Sequence, residues 1–149
     1  MIMVSHEVRQ LPATVRHMLR RVKTGALYLG LGLLFTHELD AMPNHEWRVL
    51  PPLSLLSDSL GEIVFLVAHI PLFAVVVALV ASLDNNIRTR AQVIFCVFLI
   101  IHSLLHYASS GNAAYEFRSL ISSGLIYGAG LCGLSYILAY YFERKANAA

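Results

Sequence analysis

Three histidines of this 149-residue chain lie inside long apolar runs or at the end of one, and each has a second ionisable residue at helical spacing. Asp40 follows His37 by three residues, His106 follows His102 by four, and Glu62 precedes His69 by seven. On an α-helix such separations put both side chains on one face. At a rise of 1.5 Å per residue, His37 lies roughly 8 Å, His102 about 9 Å and His69 about 10 Å in from the nearest helix end. Three histidines from three helices therefore share one level. An ionisable residue at such depth in a bilayer costs at least ~2.5 kcal/mol, so a repeated coincidence points to a site. Imidazole with carboxylate is a donor set for zinc, copper or iron, and helical bundles build such sites from inward-facing side chains. The expected metal ligands are His37, Asp40, His69, His102 and His106, with zinc ahead of copper or iron. Glu38 and Glu62 are the candidate catalytic carboxylates, acting as general base or as acceptors for a ligating imidazole's second nitrogen. Two alternatives use the same residues: a purely structural polar network, and haem held between histidines of facing helices.

Other chemistries find less support. His37-Glu38-Leu39-Asp40 is not the zincin pattern, because Ala41 stands where the second histidine would be. Ser122 and Ser123 have no nucleophile turn around them, and no glycine-rich phosphate loop is present. Cys96 lies about two turns deeper than His102, away from the histidine level.

The elements that must position these residues are membrane helices. Hydrophobic residues make up 57% of the chain and charged residues 13%, which argues against a disordered chain and against a nucleic-acid binder. A span needs about 20 mostly apolar residues. The pattern predicts an all-α, four-helix integral membrane bundle with spans near 23–42, 59–83, 90–108 and 118–142. Residues 1–22 read as an amphipathic interfacial helix, with Leu11, Val15, Met18, Leu19 and Val22 at helical spacing, and 143–149 as a tail. Ser59-Leu60-Gly61-Glu62 has the form of a capping box opening the second helix, and Pro71 predicts a kink near His69. Gly124, Gly128, Gly130, Cys132 and Gly133 permit close helix packing in the fourth span. Nine of the eleven lysines and arginines fall on one predicted side, so both termini are expected in the cytoplasm and the chain in the inner membrane. Six of the nine acidic residues and five of the seven histidines fall on the other side.

The segments His37-Glu38-Leu39-Asp40-Ala41, Glu46-Trp47-Arg48, His69-Ile70-Pro71-Leu72-Phe73, the His102/His106 pair and Tyr115-Glu116-Phe117 resemble the signature of a family of small bacterial four-span membrane proteins of unknown function. The resemblance runs from about residue 25 to 140. It implies the positions that matter without naming a reaction. A looser similarity to membrane di-iron desaturases and hydroxylases rests on one His-x-x-x-His. The other histidine boxes of those enzymes are missing.

The reading that follows is a membrane metal-binding protein, expected to be a metal-dependent hydrolase or a copper or iron oxidoreductase. Its substrate would be a lipid or other apolar molecule at the outer leaflet. The alternative is an electron-transfer haem protein or an accessory subunit of a larger membrane complex. Expected partners are the bilayer, an apolar substrate and further copies or subunits, with no nucleic acid.

Overall fold

The computed structural model describes residues 12–148 and is all-helical over them. Four long helices, α1 (Ala13–Ala41), α2 (Asp58–Val80), α3 (Asn85–Ser109) and α4 (Leu120–Ala148), are joined by two larger loops at one end and a tight turn at the other. The α1–α2 loop contains two 3₁₀ turns, Glu46–Arg48 and Leu53–Leu55. We call the end carrying that loop and the α3–α4 connection the loop end.

Helices α1, α3 and α4 make the core, with α4 packed along both of the others. Its small residues are the reason. A side chain at Gly130 would strike Ser103, and one at Gly133 would strike the backbone of Cys96, so α3 and α4 approach closely there. Gly30 of α1 similarly admits Leu99 and Cys132. Gly124 has open space around it and takes no part. The interior so formed contains Leu27, Leu34, Phe95, Cys96, Leu99, Ala129 and Tyr136. Ser103 crosses the seam by donating to the carbonyl of Ile126 at 2.7 Å.

Helix α2 is different. It leans on α3 and on the 3₁₀ turns, and only 11% of its most apolar stretch is buried. Ile63, Leu66, Val67, Ile70 and Val75 are exposed along it. In water so large an apolar surface would be an aggregation liability, and in hydrocarbon it costs nothing. Three helices, α2, α3 and α4, are long and apolar enough to cross a membrane. Helix α1 has the length, at 29 residues, but His37, Glu38 and Asp40 in its last turns reduce its apolar character.

Several boundaries differ from the sequence reading. Residues 13–22 continue without a break into the rest of α1, so within the described residues no separate arm precedes the first long helix. The rest of that expected arm, residues 1–11, lies outside the described residues. The segment read as a tail is helical to Ala148, because Glu143 is tied to Lys23 and Arg20 of α1 and holds the last turns against the bundle. Helix α2 starts at Asp58, one residue ahead of the expected capping box, with Ser57 at the cap position and no side-chain cap bond. Helix α3 starts at Asn85, where the Asp84 carboxylate accepts from the amides of Asn86 and Ile87 at 2.7 and 3.0 Å. Pro71 lies inside α2, which extends on to Val80.

Candidate metal centre

Successive residues on a helix point about 100° apart. In the last turns of α1 this sends His37 toward α3 and Glu38 toward α2, and it divides the polar residues of the loop end into two groups.

The first group is buried. His37, His102 and His106 come together with ring centroids 4.6 to 5.0 Å apart, and Glu46 joins them from the first 3₁₀ turn. One donor atom from each of the four lies within 4.8 Å of every other. Their exposures are 0% for His37, 2% for Glu46, 9% for His102 and 5% for His106. The carboxylate of Glu46 lies 3.2 Å from Nε2 of His106 and 3.4 Å from Nε2 of His37. Burial alone would raise the Glu46 pKa, but the His106 N–H and the adjacent His37 ring outweigh it and hold the group down at about 2. Phe117 covers the cluster, with its ring 5.2 Å from His37 and 4.9 Å from His106.

Four atoms of this cluster, Nδ1 and Nε2 of His37, Oε2 of Glu46 and Nε2 of His102, are sealed from solvent without a hydrogen-bond partner among the described residues. Leaving a buried polar atom unsatisfied costs about 1–3 kcal/mol. One donor atom from each of His37, Glu46 and His102, together with one from His106, lies close enough to the others to hold a metal ion. Zinc takes four ligands at about 2.0–2.2 Å, which sets donor separations near ~3.4 Å, so a modest contraction of this cluster suffices. The second nitrogen of His106 is already arranged: Nδ1 lies 3.2 Å from the hydroxyl of Tyr115. With Nε2 on a metal, Nδ1–H donates to that oxygen, the usual outer partner of a ligating imidazole. Burial pushes the Tyr115 pKa up to about 12, so the phenol remains protonated.

The surrounding loop explains how Glu46 gets there. His45 takes a left-handed backbone conformation, φ 49°, uncommon for a residue with a side chain. That reversal turns Glu46 and Trp47 inward. Trp47 lies over Gly61, where a β-carbon would strike its ring, and its indole N–H donates to Asp58 at 2.8 Å. Arg48 donates to both oxygens of Asp58, at 2.8 and 2.7 Å, and to Glu116 at 3.2 Å. These anions raise the Arg48 pKa, and His45 together with Arg48 lowers that of Glu116. Glu46 therefore sits between two residues whose neighbours lock the loop to α2 and to the α3–α4 connection.

The second group is His69 and Glu38. Nε2 of His69 lies 2.9 Å from Oε2 of Glu38, and Nδ1 lies 2.6 Å from the carbonyl of Phe65. Both nitrogens face acceptors, so His69 has no free position to offer a metal.

Three of the five expected ligands thus come together, and two do not. His69 is at the anticipated level but on the peripheral helix, where Glu38 takes its nitrogen. Asp40 shares the general side of α1 with His37, yet the carboxylate in the cluster is Glu46, and Oδ2 of Asp40 stays buried without a partner. Of the expected catalytic carboxylates, Glu38 pairs with His69 and Glu62 is exposed. Glu46 escaped the periodicity argument because it reaches the site through a reversed loop. The signs of it were the motif Glu46-Trp47-Arg48 and its place among the acidic residues on the histidine side. Haem finds no place between these histidines: their rings are in direct contact, and the cavity beside them is about 30 Å³, lined by Glu46, Val49, Leu50, His102, Leu105 and His106 among others.

No curated protein and no solved structure is significantly similar to the chain. A family model does match residues 23–143, covering both polar groups and reaching into all four helices, and the chain belongs to that family, the family of unknown function DUF6713.

Proposed function

We propose that this is a membrane metal-binding protein whose ion is held by His37, Glu46, His102 and His106. The observation that carries the reading is the convergence of three buried imidazoles and one buried carboxylate, with atoms of His37, His102 and Glu46 lacking a hydrogen-bond partner among the described residues. Three imidazoles with one carboxylate and no thiolate suit zinc first, with iron and copper as the other metals. Cys96 and Cys132 are free and lie in the helix core away from the cluster. The excess of basic residues at the opposite end orients both termini to the cytoplasm of the inner membrane and the metal to the outer half of the bilayer.

The test is elemental analysis of the full chain purified in detergent without added chelator. About one metal ion per chain is the expected result, falling to background in His102→Ala and Glu46→Ala. Metal-free protein that takes up none on titration with zinc, iron or copper salts overturns the assignment in favour of a structural network.

A metal-dependent enzyme is the second reading, and the 30 Å³ cavity against Glu46, His102 and His106 favours it. That space accommodates a water beside the ion, since one water needs about 10–15 Å³ of this kind of volume. A bound metal would lower the pKa of such a water and make it a nucleophile. Hydrolysis of an apolar or lipid ester would follow from that chemistry, and an iron or copper ion would shift it to oxidation. The open position, seen as a bound azide or water by spectroscopy on the cobalt- or iron-substituted protein, separates this reading from a closed structural site.

A further inference from the structure

Between α2 and the face formed by α1 and α3 runs an apolar groove of about 280 Å³. It exists because α2 packs on α3 and not closely on α1: side chains such as Phe35 and Phe73, with rings 4.6 Å apart, bridge that seam. Along α2 it extends from Leu72 to Val80, a length of about 12 Å at 1.5 Å per residue. Leu72, Ile94 and Phe98 line it and are themselves exposed on the bundle surface, so the groove opens sideways toward lipid. Its lining is apolar with one exception. At the loop end the lining includes Glu38.

A carboxylate in an apolar, lipid-facing groove needs a reason. One oxygen, Oε2, meets His69; the other, Oε1, has no hydrogen-bond partner among the described residues and is not among their sealed atoms. His69 is itself fully engaged, because both its nitrogens face acceptors. Glu38 is already paired with His69, and the lining offers no further charged group to balance an ammonium or a carboxylate head, whereas a hydroxyl can donate to Oε1.

We propose that the groove between α1, α2 and α3 binds a single-chain amphiphile with a hydroxyl head, its chain lying along Phe73, Val76 and Phe98 and its hydroxyl donating to Glu38. The volume falls just below the usual range for small-molecule sites of about 300–1,000 Å³, which suits one chain and not a lipid with two. The proposal stands apart from the metal reading: Glu38 and His69 are outside the metal cluster, and the groove needs no ion to form.

The experiment uses the full chain in phosphatidylcholine nanodiscs with a photoreactive long-chain alcohol carrying a diazirine at mid-chain. The matching methyl ether and fatty acid, with the diazirine at the same carbon, serve as comparison probes. The alcohol is expected to label peptides from α2 and α3 within 72–80 and 91–98, with the ether and the acid labelling them roughly tenfold less, the loss of one hydrogen bond to a charged acceptor. Val76→Trp, which fills the groove and leaves Glu38 and His69 untouched, should abolish the labelling. Glu38→Leu should reduce alcohol labelling to the level of the ether. Equal labelling by alcohol and ether overturns the proposal and identifies the groove as ordinary lipid contact. Labelling that survives Val76→Trp overturns the location.

Discussion

The two histidine–carboxylate groups of the loop end lie side by side and differ in one respect that decides their chemistry. In the His69–Glu38 pair both imidazole nitrogens are spoken for, at 2.9 Å by Glu38 and at 2.6 Å by the Phe65 carbonyl, and the carboxylate looks into an apolar groove. In the His37–Glu46–His102–His106 cluster the rings touch one another, and donor atoms of His37, Glu46 and His102 have no partner. The pair satisfies itself, whereas the cluster leaves donor atoms without a partner among the described residues. Residue type and depth are alike in the two groups. The partners at the second nitrogen distinguish them.

The most direct way to break this comparison is to delete one histidine from each group. His102→Ala should remove essentially all bound metal, whereas His69→Ala should leave about one ion per chain, as read by elemental analysis of both purified variants. Loss of metal in His69→Ala with retention in His102→Ala would invert the assignment.

A smaller effect is expected from the loop that carries Glu46. Arg48 touches no donor atom of the cluster, but its bonds to Asp58 and Glu116 hold the turn in place. Arg48→Ala should weaken metal retention by roughly tenfold, the usual scale for removing an outer supporting contact. Competition with a chelator of known affinity measures it.

Acid should sharpen the contrast further. Glu46 is held at about 2, below the ordinary carboxylate value of 4.5, so it remains ionised until the pH falls toward that figure. Its contribution is thus present at neutral pH and lost only in strong acid. Metal release on mild acidification should therefore show no separate step near 4.5 from Glu46. A titration of retained metal between neutral pH and pH 4 checks this.

The smallest effect belongs to a site far from both groups. Asp84 caps α3 at the opposite end, and the amides of Ile87 and Asn86 lower its pKa. Asp84→Ala should lower the melting temperature in detergent by only a few degrees and leave metal content unchanged. For a carboxylate with a depressed pKa, the capping contribution is present above the unfolded value and disappears as the pH falls through the folded one. The difference in melting temperature between wild type and variant should accordingly vanish in acid. A change in metal content in Asp84→Ala would mean that the loop-end cluster reports global stability and not local ligation.

Hydrophobic runs and their punctuation were enough to reveal four long helices, because the cost of placing polar backbone or side chains in hydrocarbon writes itself into composition. The level shared by His37, His69 and His102 was readable from helical rise alone, as was the close packing at Gly130 and Gly133. Three things depended on the tertiary structure. The rank of the helices, with α2 at the edge and α4 in the middle, rests on which small residues meet which neighbours, and periodicity does not reveal partners. The division of His37 from His69 follows from that rank, since two side chains 100° apart on α1 meet different helices. Glu46 joins the cluster only because a left-handed residue and an arginine clamp bend an aperiodic loop back over the bundle. Sequence spacing predicts contacts along a helix, where geometry repeats. It is silent where a loop reverses, and there the position of a side chain is set by residues distant in the chain.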